Sequence, residues 1–149
     1  MKVIIIPILS DNYSYLIIDK ENKFCSAVDP ASPEEIIPFL EKEKLDLKNI
    51  LNTHYHSDHT AGNLELKEKY KCKIYGPDKE KNQIPGIDIA LKENDILNIN
   101  NYSAKIFETP GHTAGHIIYW FKKDKIVFTG DTLFVLGCGK LFEGTPQIM

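Results

Sequence analysis

The sequence predicts an α/β sandwich, and three observations carry that expectation. Apolar runs of strand length, rich in β-branched residues, dominate the chain. Only two segments show helical spacing, and both follow early strands. From residue 87 onward the pattern is strand after strand, without the alternating helices of a doubly wound sheet. The 149 residues, 42% apolar and 26% charged, suit one domain spanning residues 1–149 and exclude a disordered or collagen-like chain.

The elements follow in order. Val3–Leu9 is an apolar β-branched strand, and Ser10-Asp11-Asn12 is a turn cluster. Tyr15–Ile18 and Phe24–Val28 read as two more strands. Ser32-Pro33-Glu34-Glu35 predicts a helix start, with Ser32 as cap, Pro33 at the first position and Glu35 completing a capping box. Ile36, Ile37, Phe39 and Leu40 continue that helix to about Lys44, with Pro38 placed early, where its missing donor costs least. Asn49–Thr53 is a short buried-type strand, Ala61–Tyr70 a surface helix, Lys73–Tyr75 a strand and Pro77–Gly86 a polar loop. Ile87–Leu91, Ile96–Ile99, Ser103–Glu108, Ile117–Phe121 and Ile126–Phe128 complete the strands. Gly144–Met149 reads as the entry to another helix, capped by Thr145 with Pro146 at its first position.

Composition narrows the partners. The net charge is −3 and all 18 basic residues are lysines, so no basic footprint for nucleic acid is expected. Three cysteines, Cys25, Cys72 and Cys138, follow neither a disulfide framework nor a zinc-ribbon spacing. All three read as buried packing thiols in a reducing compartment. No apolar stretch approaches the roughly 18 residues of a membrane span. Pro7 and Asp11 also break any signal-peptide pattern at the start. A cytoplasmic protein without membrane contact is the expectation, with a monomer favoured.

All five histidines fall in two segments. Thr53-His54-Tyr55-His56-Ser57-Asp58-His59 places three imidazoles and a carboxylate at the end of a buried strand. His54 and His56 are two residues apart, so on extended backbone their rings share a side. Asp58 and His59 are expected in the following loop. These are the donor types that zinc and related metals take. A solvated histidine-rich turn is the bland alternative, and the preceding buried strand argues against it. Pro110-Gly111-His112 puts a fourth imidazole beyond another strand, as a further ligand. His116 precedes a strand and reads as a residue that orders the loop by hydrogen bonds. Thr129-Gly130-Asp131-Thr132 repeats the strand-end placement with a carboxylate, so Asp131 is also a ligand candidate. Asp29, before Pro30, is either an orienting carboxylate behind the ligands or simply a turn residue.

Together, His54-x-His56-x-Asp58-His59, His112 and Asp131 resemble the H-x-H-x-D-H…H…D signature of the metallo-β-lactamase superfamily. Ser10-Asp11-Asn12-Tyr13, Asp58–Asn63, Gly130–Phe134 and Gly137–Thr145 narrow the resemblance to glyoxalase II, the hydroxyacylglutathione hydrolases. The resemblance implies an αββα sandwich whose catalytic domain is residues 1–149. His54, His56 and His112 would hold one divalent metal, Asp58 and His59 a second, and Asp131 would bridge them. Zinc is the family's metal, often mixed with iron or manganese. In the family a further histidine beyond Thr145 completes the second site, and a C-terminal helical domain grips glutathione. Neither is among these 149 residues, so the second site is expected to be incomplete and the chain to be part of a longer protein. Lys140 and Phe142 match positions that contact the glutathione portion, with Phe142 standing where many members carry Tyr.

The implied reaction is hydrolysis of S-lactoylglutathione to lactate and glutathione, a step in methylglyoxal detoxification. A metal-bridging hydroxide would be the nucleophile, and Asp58 and Asp131 would be the catalytic carboxylates. Two alternatives stand beside it. One is a persulfide dioxygenase holding a single iron on His54, His112 and Asp131. The other is a non-catalytic metal-binding fragment.

Overall fold

Strand-forming runs and turn residues alternate along the chain. The computed structural model, which describes residues 1–149, folds them into two stacked sheets. The elements are β1 (Lys2–Ile8), β2 (Asn12–Asp19), β3 (Phe24–Val28), α1 (Pro33–Glu43), β4 (Asp46–Leu51), α2 (Ser57–Thr60), α3 (Asn63–Tyr70), β5 (Lys73–Pro77), β6 (Ile89–Leu91), β7 (Ile96–Ile99), β8 (Tyr102–Glu108), β9 (Ile117–Phe121) and β10 (Ile126–Phe128). The first sheet has the order β1-β2-β3-β4-β5-β6; its first three strands are antiparallel and its last four parallel. The second sheet, β10-β9-β8-β7, is wholly antiparallel.

Two apolar cores result. Between the sheets, Ile17, Val28 and Leu51 meet Ala104, Ile106, Ile117, Tyr119, Phe121 and Phe128. On the other face of the first sheet, Leu16, Ala27, Ile50 and Ile74 pack against Ile36 and Leu40 of α1 and Leu66 of α3. Burial of each Val, Leu, Ile or Phe among them contributes about 1.5–3 kcal/mol. The helices of this chain therefore supply one outer layer of the sandwich. The outward positions of β9, Ile118 and Trp120, are only half-buried. No helix of the chain is long and apolar enough to cross a membrane.

Local chemistry departs from expectation in four places. Ser32 occupies the N-cap of α1, but its hydroxyl donates to Glu34 Oε2 at 2.9 Å and caps no backbone N–H. The capping box with Glu35 therefore does not form, and Pro33 alone marks the helix start. Pro38 lies mid-helix rather than early, because α1 begins at Pro33 and ends at Glu43. The helix expected over Ala61–Tyr70 is two elements, α2 and α3, broken at Gly62. A Cβ on Gly62 would collide with the Pro30 carbonyl and the Pro33 ring. Cys138 is exposed, whereas Cys25 and Cys72 are buried. Burial pushes the Cys25 thiol up to about 12 and the Cys72 thiol up to about 11. Residues Thr145–Met149 form a single turn, with the Met149 N–H donating to Thr145 O.

Candidate metal centre

Each chemistry-bearing loop leaves a strand at the same edge of the sandwich. β4 ends at Leu51, so His54 and His56 lie just past the strand and not on it. Asp58 and His59 belong to the short helix α2 rather than to a loop. His112 follows β8 by four residues, and Asp131 sits in a 3-10 turn after β10. Gly130 has φ +47, where a Cβ would crowd Thr53 and lie 2.7 Å from His116 Nε2. Glycine is thus required for the Asp131 turn to approach the histidines.

The donors converge in two groups. His54, His56 and His112 form one, and His54, His59 and Asp131 the other, each with its ligand atoms within 4.8 Å of one another. His56 Nδ1 lies 3.2 Å from His54 Nε2 and 2.9 Å from His112 Nε2. Asp131 faces both groups, with Oδ1 3.2 Å from His59 Nε2 and Oδ2 3.3 Å from His112 Nε2. Asp58 is half-exposed at the margin, its Oδ2 3.5 Å from His59 Nε2.

Hydrogen bonds fix which ring nitrogens are free. The Thr53 hydroxyl donates to Asp29 Oδ2, so it accepts from His54 Nδ1–H at 3.0 Å. His112 Nδ1–H donates to the Lys140 carbonyl at 2.7 Å. Both Nε2 atoms therefore aim lone pairs at His56 Nδ1. One proton on that nitrogen can satisfy one of them, whereas a cation satisfies all three. The donor set thus fits a divalent metal. His116 is different. Its Nε2 accepts the Asp131 N–H at 3.2 Å, and its Nδ1 lies 3.1 Å from both Thr109 Oγ1 and Thr132 Oγ1. With both nitrogens engaged, it ties the Asp131 turn to the end of β8. Asp29 Oδ2 lies 3.1 Å from His59 Nδ1, and Asp29 also accepts the Thr53 N–H at 2.8 Å.

Electrostatics follow from this crowding. Burial, then the imidazoles of His59, His116, His112 and His56, holds His54 far below the usual range, so it is neutral. Burial pushes His116 down to about 4 and also lowers His56. Burial opposes charge on His59 too, but Asp29 and Asp131 outweigh it and lift its pKa to about 10 when no metal is bound. Burial opposes charge on Asp131, but its bond and attraction to His59 hold it below the usual carboxylate range.

The centre opens into a cleft of about 660 Å³, a size typical of small-molecule sites. Lys140 and Phe142 line it. The Phe142 ring packs edge-on against His56 and His112, and the Lys140 ammonium lies 5.1 Å from the centre of that ring. Cys138 lines the same cleft. Sequence reasoning missed the supporting residues. Asn12 Nδ2 donates to the Asp58 carbonyl at 2.9 Å and reaches Asp58 Oδ2 at 3.3 Å. Glu143 accepts from Tyr55 Oη and from the Ala114 N–H, each at 2.7 Å. Thr53 was likewise unmarked, because a strand-end position does not reveal its partners Asp29 and His54, and so was Glu80, because nothing in a polar loop's composition shows which of its residues is buried.

Known proteins resemble the chain in sequence and in fold. The family model described as the metallo-beta-lactamase superfamily matches residues 9–146. The hydroxyacylglutathione hydrolase of Pelagibacter ubique is 52% identical over 149 residues, which are 100% of this chain and 62% of that protein. That of Methylococcus capsulatus is 43% identical over the same 149 residues, 58% of its length. The chain therefore spans about three-fifths of the curated relatives it matches. Among solved structures, BLEG-1 B3 metallo-beta-lactamase superposes with a TM-score of 0.89 at 25% identity, covering 99% of this chain and 81% of that one. ETHE1 from Myxococcus xanthus gives 0.80 at 27%, covering 93% and 61%. The di-iron-bound form of TTHA1623 gives 0.73 at 23%, covering 89% and 74%, and shows the fold alone. The sandwich, the strand-end placement of the donors and the match over residues 9–146 agree: this chain belongs to the metallo-beta-lactamase superfamily.

Proposed function

We propose that this chain carries the catalytic centre of a metal-dependent hydrolase acting on glutathione thioesters, with S-lactoylglutathione as substrate. The observation that carries the reading is the pair of donor groups sharing His54, with Asp131 facing both, at the floor of a cleft lined by Lys140 and Phe142. Whole-chain similarity to proteins named hydroxyacylglutathione hydrolase supports the substrate class.

His54, His56 and His112 would hold one divalent ion, zinc or alternatively iron or manganese. Asp58, His59 and Asp131 would hold a second, with Asp131 shared between them. When bound, such ions supply Lewis acidity and bring the pKa of water from 15.7 towards ~7. The chain's own groups do the rest. Asp58, steadied by Asn12, presents a half-exposed carboxylate that can orient a water and accept its proton. Phe142, its ring edge-on to His56 and His112, gives the thioester an apolar wall. Lys140 places a cation at the cleft edge, where a glutathione carboxylate can meet it. The leaving thiolate is a weak base, so no strong general acid is required.

The test is hydrolysis of S-D-lactoylglutathione by protein supplied with zinc, iron or manganese, beside His56→Ala. Metal-dependent turnover that His56→Ala abolishes is expected. Equal turnover by a folded, metal-free His56→Ala protein contradicts the reading. Oxygen uptake with glutathione persulfide in place of thioester hydrolysis would replace it with the dioxygenase alternative.

A further inference from the structure

Glu80 is a buried carboxylate that the chemistry above does not use. It closes the 3-10 turn Asp78–Glu80 and is 3% exposed. Its Oε1 accepts hydrogen bonds from the Thr113 hydroxyl and from the Gly115 N–H, the latter at 2.9 Å. The backbone N–H of Tyr55 is a weaker third donor, since Oε2 makes no hydrogen bond of normal geometry. Tyr55 separates His54 from His56, and Thr113 and Gly115 lie between His112 and His116. One side chain therefore reaches both histidine segments, which come from different sheets.

A second observation concerns Gly115. A Cβ there would lie 2.6 Å from Glu80 Cγ and 2.8 Å from Lys79 Cβ. The missing side chain is what lets the Glu80 turn close on the His112 segment. Burying a carboxylate costs free energy unless donors meet it, and here the donors are the backbone and hydroxyl of the metal-site loops.

We propose that Glu80 is a positioning residue that fixes the His54–His56 segment against the His112–His116 segment, and thereby sets the metal affinity of the centre. This rests on the reading of those histidines as ligands. Residues behind a ligand shell typically change metal affinity by about 10–100-fold when removed.

The experiment is zinc affinity, by competition with a chromophoric chelator, for wild type, Glu80→Ala, Glu80→Gln and Thr113→Val, together with thermal melting of each metal-free protein. Glu80→Gln keeps an acceptor oxygen for Thr113 and Gly115, so binding close to that of wild type is expected. Glu80→Ala is expected to bind about 10–100-fold more weakly. A merely structural role would lower its melting temperature and leave the affinity of the folded protein unchanged, which overturns the proposal. Should Glu80→Ala fail to fold, Thr113→Val decides: weaker binding supports the proposal and unchanged binding overturns it. A wild-type chain that binds no zinc overturns the ligand reading itself. Wild-type binding matched by folded Glu80→Ala overturns only the role of Glu80.

Discussion

Asp29 Oδ2 lies 3.1 Å from His59 Nδ1, and both side chains are almost wholly buried. The same carboxylate accepts two bonds from Thr53, whose hydroxyl in turn holds His54 Nδ1–H. One acid thus orients two imidazoles of the centre. Asp29→Ala is predicted to weaken zinc binding by about 10–100-fold and to cost about 3 kcal/mol of folding stability, because it strips a buried charge of its partner. Chelator competition and urea unfolding measure the two effects. Unchanged affinity would leave Asp29 a turn carboxylate, the other reading its position before Pro30 allows.

Metal-free protein is predicted to lose stability on both sides of neutrality. His116 is held near 4 by burial when folded and titrates near 6.5 when unfolded, so the unfolded chain takes up the proton first. Stability therefore falls as pH drops from about 6.5 towards 4. His59 has the opposite sign. Its folded value near 10 exceeds its unfolded 6.5, so its contribution is full below 6.5 and is lost as pH rises through 10. Urea midpoints of chelator-treated protein across this pH range should trace a dome, and His116→Gln should flatten its acid limb. A flat profile would contradict the buried-imidazole account.

Gly137 and Gly139, close in sequence on the segment after the Asp131 turn, make a matched pair of tests. A Cβ on Gly139 would lie 2.6 Å from His112 Nδ1 and 2.7 Å from Asp131 Cβ. Gly139→Ala should therefore push the Lys140 carbonyl off His112, cost about 1–3 kcal/mol and weaken metal binding. A Cβ on Gly137 would meet nothing within 4 Å, so Gly137→Ala should stay within about 0.5 kcal/mol of wild type. Thermal melts and zinc titrations of the two variants compare them directly. Similar behaviour would mean that the close approach at Gly139 does not matter.

Much of the fold was legible because its signals are local. β-branched runs such as Phe24–Val28 and Ile117–Phe121 take the strands their composition predicts. Pro33 starts α1 as a proline at the first helical position should. The histidine segments stood out because all five imidazoles fall in two short segments, one of them holding His54, His56 and His59. What escaped depends on partners outside the local pattern. Ser32 takes Glu34 instead of a backbone donor, and Pro30 and Pro33 approach Gly62, between α2 and α3, too closely for any side chain there. Cys138 is exposed because it follows the projecting tip Val135-Leu136. Glu80 and Asn12 join the site only through contacts between residues far apart in the chain.

The central claim is that His54, His56 and His112 form a metal centre with Asp131 beside it. A crystal structure of zinc-loaded protein, with anomalous scattering at the zinc edge, tests it most directly. The account predicts an anomalous peak about 2.0–2.1 Å from His54 Nε2, His56 Nδ1 and His112 Nε2. A peak elsewhere on the chain, or none between these three nitrogens, would contradict it.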